Sequence, residues 1–400
     1  MGSRACFVVV SDAGVELYHD HWAAQGLTHD LLLDGPDESL ARFRSMVPRN
    51  ATSPADWLDD VWAEGGAVMD LRTQKLRWFD SAFEGMRPRL AGHLLERTWP
   101  GWKSIWAPEG LRGFFPIDGL AEVEHEVRSP ARRATSRPIE DLGLVATVES
   151  AERRVAADSI LSVRRGDGGV RSVALGVMLD VVSELRAEWV VDHVGRASPR
   201  SALRADGRGS VDERSAGASP GGQGGAWPHQ GMLVDLAIRQ VTWWSQGSEA
   251  DLASAFAINW PGFTVETRGD DYEWHEREAR IGGTQPPLAV MLQEERAALV
   301  RAADRRSAVD PTASVVARLR EAGHHVVVGR GAAEHVPAAR TAHRAAVIEA
   351  LDDLIATGAE RLSPVRYVDS RGVVVEPVGQ KRGRSPRRGS RPAPVSTRRR

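Results

Sequence analysis

The sequence predicts an α+β fold: two tandem modules, each ordered hairpin–helix–hairpin–helix–strand with antiparallel sheets, then a C-terminal α/β region and a disordered basic tail. The first ground is a duplicated tryptophan signature. Residues 62–79 read WAEGGAVMDLRTQKLRWF and residues 227–244 read WPHQGMLVDLAIRQVTWW. Trp62, Gly66, Asp70 and Trp78 thereby answer Trp227, Gly231, Asp235 and Trp243 at a constant spacing of 165. The second ground is a shared stretch on the C-terminal side of each signature. Ala91, Leu95 and Trp99 match Leu252, Phe256 and Trp260 at helical spacing, and Trp99-Pro100-Gly101 answers Trp260-Pro261-Gly262, 161 positions on. The third is the alternation of apolar residues around Asp/Gly-rich turns, which marks hairpins. A repeat of this length governs architecture ahead of local propensity.

In chain order, residues 6–10 and 15–18 flank a turn at Ser11-Asp12-Ala13-Gly14 and form a hairpin. Asp37 caps a short helix over residues 38–43. Residues 66–79 form a second hairpin, with residues 72–75 at its tip, and Met86, Leu90 and Leu94 mark a helix stopped by Pro100-Gly101. Residues 102–106 start an extended piece. Val123, His125 and Val127 alternate with Glu122, Glu124 and Glu126, as in a strand with one acidic face. This first module spans residues 1–128, and an Arg/Ser/Pro-rich linker covers 129–141.

The second module spans 142–285. Residues 144–148 and 154–157 read as its opening hairpin and residues 173–185 as a helix, after which comes a Gly/Ser/Arg-rich disordered insertion at 196–226. The helical α/β region, 286–378, holds helices at 288–305, at 311–322 after the Asp310 cap, and at 338–357, with a strand at 325–328 and a hairpin at 365–375. The tail covers 379–400.

Composition narrows the function classes. No apolar run is long enough for a membrane helix, and the N-terminus lacks a secretory pattern. One cysteine permits no internal disulfide, which fits a cytoplasmic protein. Net charge is −2, but residues 381–400 hold nine bases and no acid; the rest carries 43 bases against 54 acids, a balance of −11. Arginine outnumbers lysine 49 to 3, a skew attributed to a GC-rich bacterial genome rather than to nucleic-acid binding.

Candidate chemistry is sparse. Trp62, Trp78, Trp99 and their counterparts read as core residues. Trp102, Trp106, Trp244 and Trp274 differ between the copies and are candidates for exposed contacts with a protein partner. Asp270, Asp271 and Glu273, with Glu122, Glu124 and Glu126, form an acidic surface able to steer a basic partner. Asp70 and Asp235 sit just before the hairpin tips, where a carboxylate accepts turn N–H groups; a duplicated ligand-binding acid is the sharper alternative. His19 and His21 share one strand face as two zinc ligands would, and His29 or Asp30 could add another, but only two are local where zinc needs three or four. Gly329-Arg330-Gly331 is an incomplete nucleotide fingerprint, and no Walker A, nucleophile-elbow, HExxH or CxxC pattern occurs. The expectation is a non-catalytic binding protein without a cofactor. The alternatives are a metal-dependent hydrolase using His19 and His21, and nucleic-acid binding through the basic tail.

Overall fold

The computed structural model describes residues 3–24, 26–58, 63–80, 87–128, 144–148, 159–175, 187, 190–195, 228–247, 256, 259–281, 288–308, 311–327, 342–357, 362–369 and 371–376. The fold is α+β, with two mixed sheets. Trp62, Trp227, the linker, the insertion, Gly329-Arg330-Gly331 and the tail lie outside the described residues.

The first unit contains β1 (Ala5–Ser11), β2 (Gly14–Asp20), α1 (Leu27–Arg44), β3 (Val47–Arg49), β4 (Gly65–Asp70), β5 (Lys75–Asp80), α2 (Pro88–Thr98), β6 (Lys103–Trp106) and α3 (Ala121–Arg128). The second contains β7 (Leu144–Val148), β8 (Ser159–Arg164), β9 (Val170–Leu175), β10 (Gln230–Asp235), β11 (Gln240–Ser245), β12 (Thr264–Thr267) and α4 (Tyr272–Ala279). The C-terminal region adds α5 (Leu288–Ala308), α6 (Pro311–Glu321), α7 (Ala342–Ala356), β13 (Tyr367–Val368) and β14 (Val374–Val375). No helix among the described residues is long and apolar enough to cross a membrane.

The sheets are ordered β14-β13-β6-β5-β4-β1-β2-β3 and β12-β11-β10-β8-β9-β7. The expectation of antiparallel sheets is corrected: β1–β4, β5–β6, β8–β10 and β11–β12 are parallel pairs. A helix between two strands carries the chain back to its starting side, so the next strand runs alongside in the same sense. Helix α2 does this between β5 and β6, whereas β4 runs opposite to β2 and so lies parallel to β1.

The central strands match in register. Val10 lies opposite Asp70 and Arg164 opposite Asp235; Lys75 lies opposite Lys103 and Gln240 opposite Thr264. Single hydrogen bonds match as well. Leu71 N–H donates to Val10 O and Leu236 N–H to Arg164 O, at 2.9 and 3.0 Å. Ala107 N–H donates to Trp78 O and Arg268 N–H to Trp243 O, both at 2.8 Å.

Several local expectations are corrected. Residues 121–128 are helical and not a strand, so the alternating residues do not share a face: Val123 is buried and His125 exposed. Helix α1 starts at Leu27, well before Asp37, and is kinked at Gly35 (φ 67°), where Pro36 starts its second half. Val173–Leu175 belong to strand β9, which pairs with both β7 and β8, rather than to a helix; the expected partner arm at 154–157 lies outside the described residues. Residues 325–327 form no strand, and Val327 is exposed.

Of the tryptophans expected inside, the described ones are inside. Trp78, Trp99, Trp243 and Trp260 are buried. Each Trp-Pro-Gly ends its helix with the glycine at positive φ, 85° at Gly101 and 75° at Gly262, a conformation that disfavours other residues. Trp99 meets Trp102 edge-on at 5.2 Å, as Trp260 meets Phe263 at 5.3 Å. Leu292, Leu299, Val347, Leu351, Leu362, Val365 and Tyr367 share one core with β1, α1 and α2, so the C-terminal region packs back onto the first unit.

Candidate functional site

Two buried polar clusters hold the side chains with chemical potential. The first lies on the sheet face covered by α4. Trp244 Nε1 donates to His275 Nδ1 at 2.7 Å; His275 Nε2 lies 2.8 Å from Ser162 Oγ, which lies 2.7 Å from Ser172 Oγ. All four residues are buried. A serine beside a histidine invites comparison with a nucleophile and its base, but the directions are wrong for it. An indole nitrogen only donates, so His275 Nδ1 carries no proton and the neutral ring carries its proton on Nε2. Nε2 therefore donates to Ser162, whose own hydrogen is free to bond Ser172. Burial drives the His275 pKa down to about 3, which keeps the ring neutral.

The first unit fills the same places with hydrocarbon. Val8 pairs with Leu17 and Val68 as Ser162 pairs with Ser172 and Leu233. Phe79 and Phe114, 5.3 Å apart, stand where Trp244 and His275 stand. Gly66 and Gly231 have similar surroundings. A Cβ on Gly66 would strike Phe79 and Phe114, and one on Gly231 would strike Trp244 and His275.

The second cluster centres on Arg89 of α2. Its Nε donates to Asp270 Oδ2 (3.1 Å), Nη2 to Asp270 O (2.8 Å), and Nη1 to Leu362 O (3.0 Å) and the Glu273 carboxylate. The guanidinium lies 4.6 Å from the centre of the Tyr272 ring. Asp270 Oδ1 accepts from Val365 N–H at 3.1 Å. Burial raises the Asp270 carboxyl above its ordinary pKa, while Arg89 and the Val365 N–H pull it back. One guanidinium thus ties the first unit, the second unit and the C-terminal segment together.

The expected partner surface is accordingly corrected. Trp106 and Trp244 are 0% and 1% exposed, because both point into the packed sides of their sheets. Trp102 is half-buried against Trp99, and Trp274 is half-buried with Arg268 5.1 Å from its ring. Asp270 is buried, Glu273 pairs with Arg89, and Asp271 caps α4 by accepting from Trp274 N–H. These acids hold the protein together rather than face solvent as a steering surface.

His19, near the end of β2, is half-buried, and His21, just past that strand, is exposed. Burial, then Arg49, brings His19 down to about 4. No group of three metal-ligating residues forms among the described residues.

Asp70 and Asp235 bond their turns alike. Asp70 Oδ1 accepts from Arg72 and Thr73 N–H, and Asp235 Oδ1 from Ala237 and Ile238 N–H. Gln74 and Arg239 come next at positive φ, 48° and 53°. Asp70→Ala and Asp235→Ala are each expected to lower stability by about 1–2 kcal/mol, read from urea midpoints at constant slope.

No sequence pattern singles out Arg89, Ser162 or Ser172. The 161-residue spacing, carried past Trp-Pro-Gly, sets His275 against Phe114 and Asp270 against Glu109, and is the one signal that reaches these clusters. Comparison with known proteins found no matching family model, no similar curated protein and no similar solved structure.

Proposed function

We propose that the protein is a non-catalytic binding protein of the bacterial cytosol that recognises a protein partner. The observation that carries this reading is the direction of hydrogen bonding from Trp244 to Ser172. It leaves the most enzyme-like Ser–His pair of the described residues in the wrong tautomer and sealed from solvent. Exposed apolar side chains support the other half of the reading: Trp22 and Ile238 are each 65% exposed. Large side chains of this type anchor protein interfaces. We also infer that the two units are copies of one module, supported by their common register and by the paired environments of Gly66 and Gly231.

The test is affinity capture from native lysate at physiological salt, with wild-type and Ile238→Asp protein. A stoichiometric partner is expected on the wild type and about tenfold less on the variant. Truncation after Gln380 is expected to leave capture intact. No retained protein, together with turnover of a small molecule by the purified chain, would overturn the reading.

A further inference from the structure

The two units differ at one edge. In the first, the outer edge of β6 is closed by β13, which runs parallel to it: Trp106 N–H donates to Arg366 O at 2.8 Å, and Arg366 Nη1 to Ser104 O at 3.1 Å. In the second, Val265 and Thr267 of β12 occupy the places of Ser104 and Trp106. Thr264 and Arg268 direct their N–H groups to β11, so Val265 and Thr267 direct theirs outward. Neither N–H has a partner among the described residues. Thr267 O is engaged, accepting from the Tyr367 hydroxyl at 2.9 Å. The interface made by β13 therefore reaches the last residue of β12, and the open edge continues from it. The half-buried Val265 lies in this edge strand and the half-buried Phe263 just before it.

The two edges of the first sheet are less suited to pairing, and β7, at the far edge of the second, is flanked on both sides by residues outside the described ones. Pro48 in the middle of β3 has no N–H to offer, and β14 is two residues long. From the β12 edge we propose that an extended segment of a partner protein adds to the second sheet as a strand parallel to β12, as β13 adds to β6. This rests on the protein-binding reading above and names the surface. The occupant is a different protein and not a second copy. Two-fold pairing sets identical edge strands antiparallel, whereas the strand that copies the β13 arrangement is parallel. Glu266 is already paired, with Arg268 at 3.0 Å and Gln240 at 2.7 Å, so the added strand is held by its main chain and by apolar side chains that cover Val265 and Phe263.

The probe is a synthetic peptide of residues 362–376, the segment that closes β6, titrated into the full chain and monitored by hydrogen exchange. Saturable binding with new protection at the Val265 and Thr267 amides is expected. Peptide N-methylated at the amide corresponding to Val368 is expected to bind at least tenfold more weakly. Val265→Pro protein should lose binding; if that variant does not fold, the N-methyl comparison decides alone. No saturable binding, equal binding of both peptides, or protection at Ser104 and Trp106 instead would overturn the proposal. If Val265→Pro protein still captures the lysate partner, the edge is not its site while the binding-protein reading stands. If peptide binds but wild-type protein captures no partner, the broader reading fails and the edge remains able to accept a strand.

Discussion

Arg89→Ala is expected to destabilise the protein by about 3–5 kcal/mol, because it strands the buried Asp270 carboxylate without its countercharge. The loss should exceed that of any exposed ion pair, such as Arg296 with Asp352, whose removal is expected to be nearly neutral. Chemical denaturation with intrinsic tryptophan fluorescence measures it. The junction joins α2, α4 and the segment from Leu362 to Val365, so a second consequence is loss of cooperativity. The wild type should unfold in one transition and the variant in two, as the units part. Arg89→Lys keeps the charge but not the planar fork that reaches the side-chain and main-chain oxygens of Asp270 at once, so it should recover only part of the loss. An Arg89→Ala protein as stable as wild type would show that the junction contributes nothing.

The second large effect concerns acid. His275 titrates near 3 when folded and near 6.5 when unfolded. Between those values the unfolded chain binds the extra proton, so stability is constant above about pH 6.5 and falls as pH drops toward 3. Each pH unit within the window costs up to about 1.4 kcal/mol, or about 2 kcal/mol by pH 5. His275→Phe alone removes this dependence but leaves Trp244 N–H and Ser162 Oγ without their partner, at about 1–3 kcal/mol each. The combined change Ser162→Val, Ser172→Leu, Trp244→Phe and His275→Phe installs the residues of the first unit and should restore neutral-pH stability while flattening the acid response. His19 contributes to both proteins, so the difference between them isolates His275. A quadruple variant as acid-sensitive as wild type would reject the assignment.

Much of the frame is legible in the sequence because hairpin turns and helix stops are local. Asp70 and Asp235 bond the turns next to them, and Gly101 and Gly262 take up the positive φ their position implies. Strand direction is not legible, since parallel pairing depends on where a helix returns the chain. The partner tryptophans fail for a related reason. A difference between the two units does not measure exposure: Trp244 stands where the first unit has Phe79, and its indole N–H serves a buried histidine. Arg89 gives no signal, because its partners lie 181 and 184 residues away.

The return of Leu362, Val365 and Tyr367 to the first core has a consequence for biosynthesis. A ribosome releases the N-terminal end first, yet β6 cannot gain its neighbour until the end of the described chain has been made. The early-made portion must wait with an unfinished sheet margin while the second unit emerges complete in its own core. Maturation of the nascent chain thus runs against the order of translation, and premature termination before Leu362 should harm the oldest part of the polypeptide most.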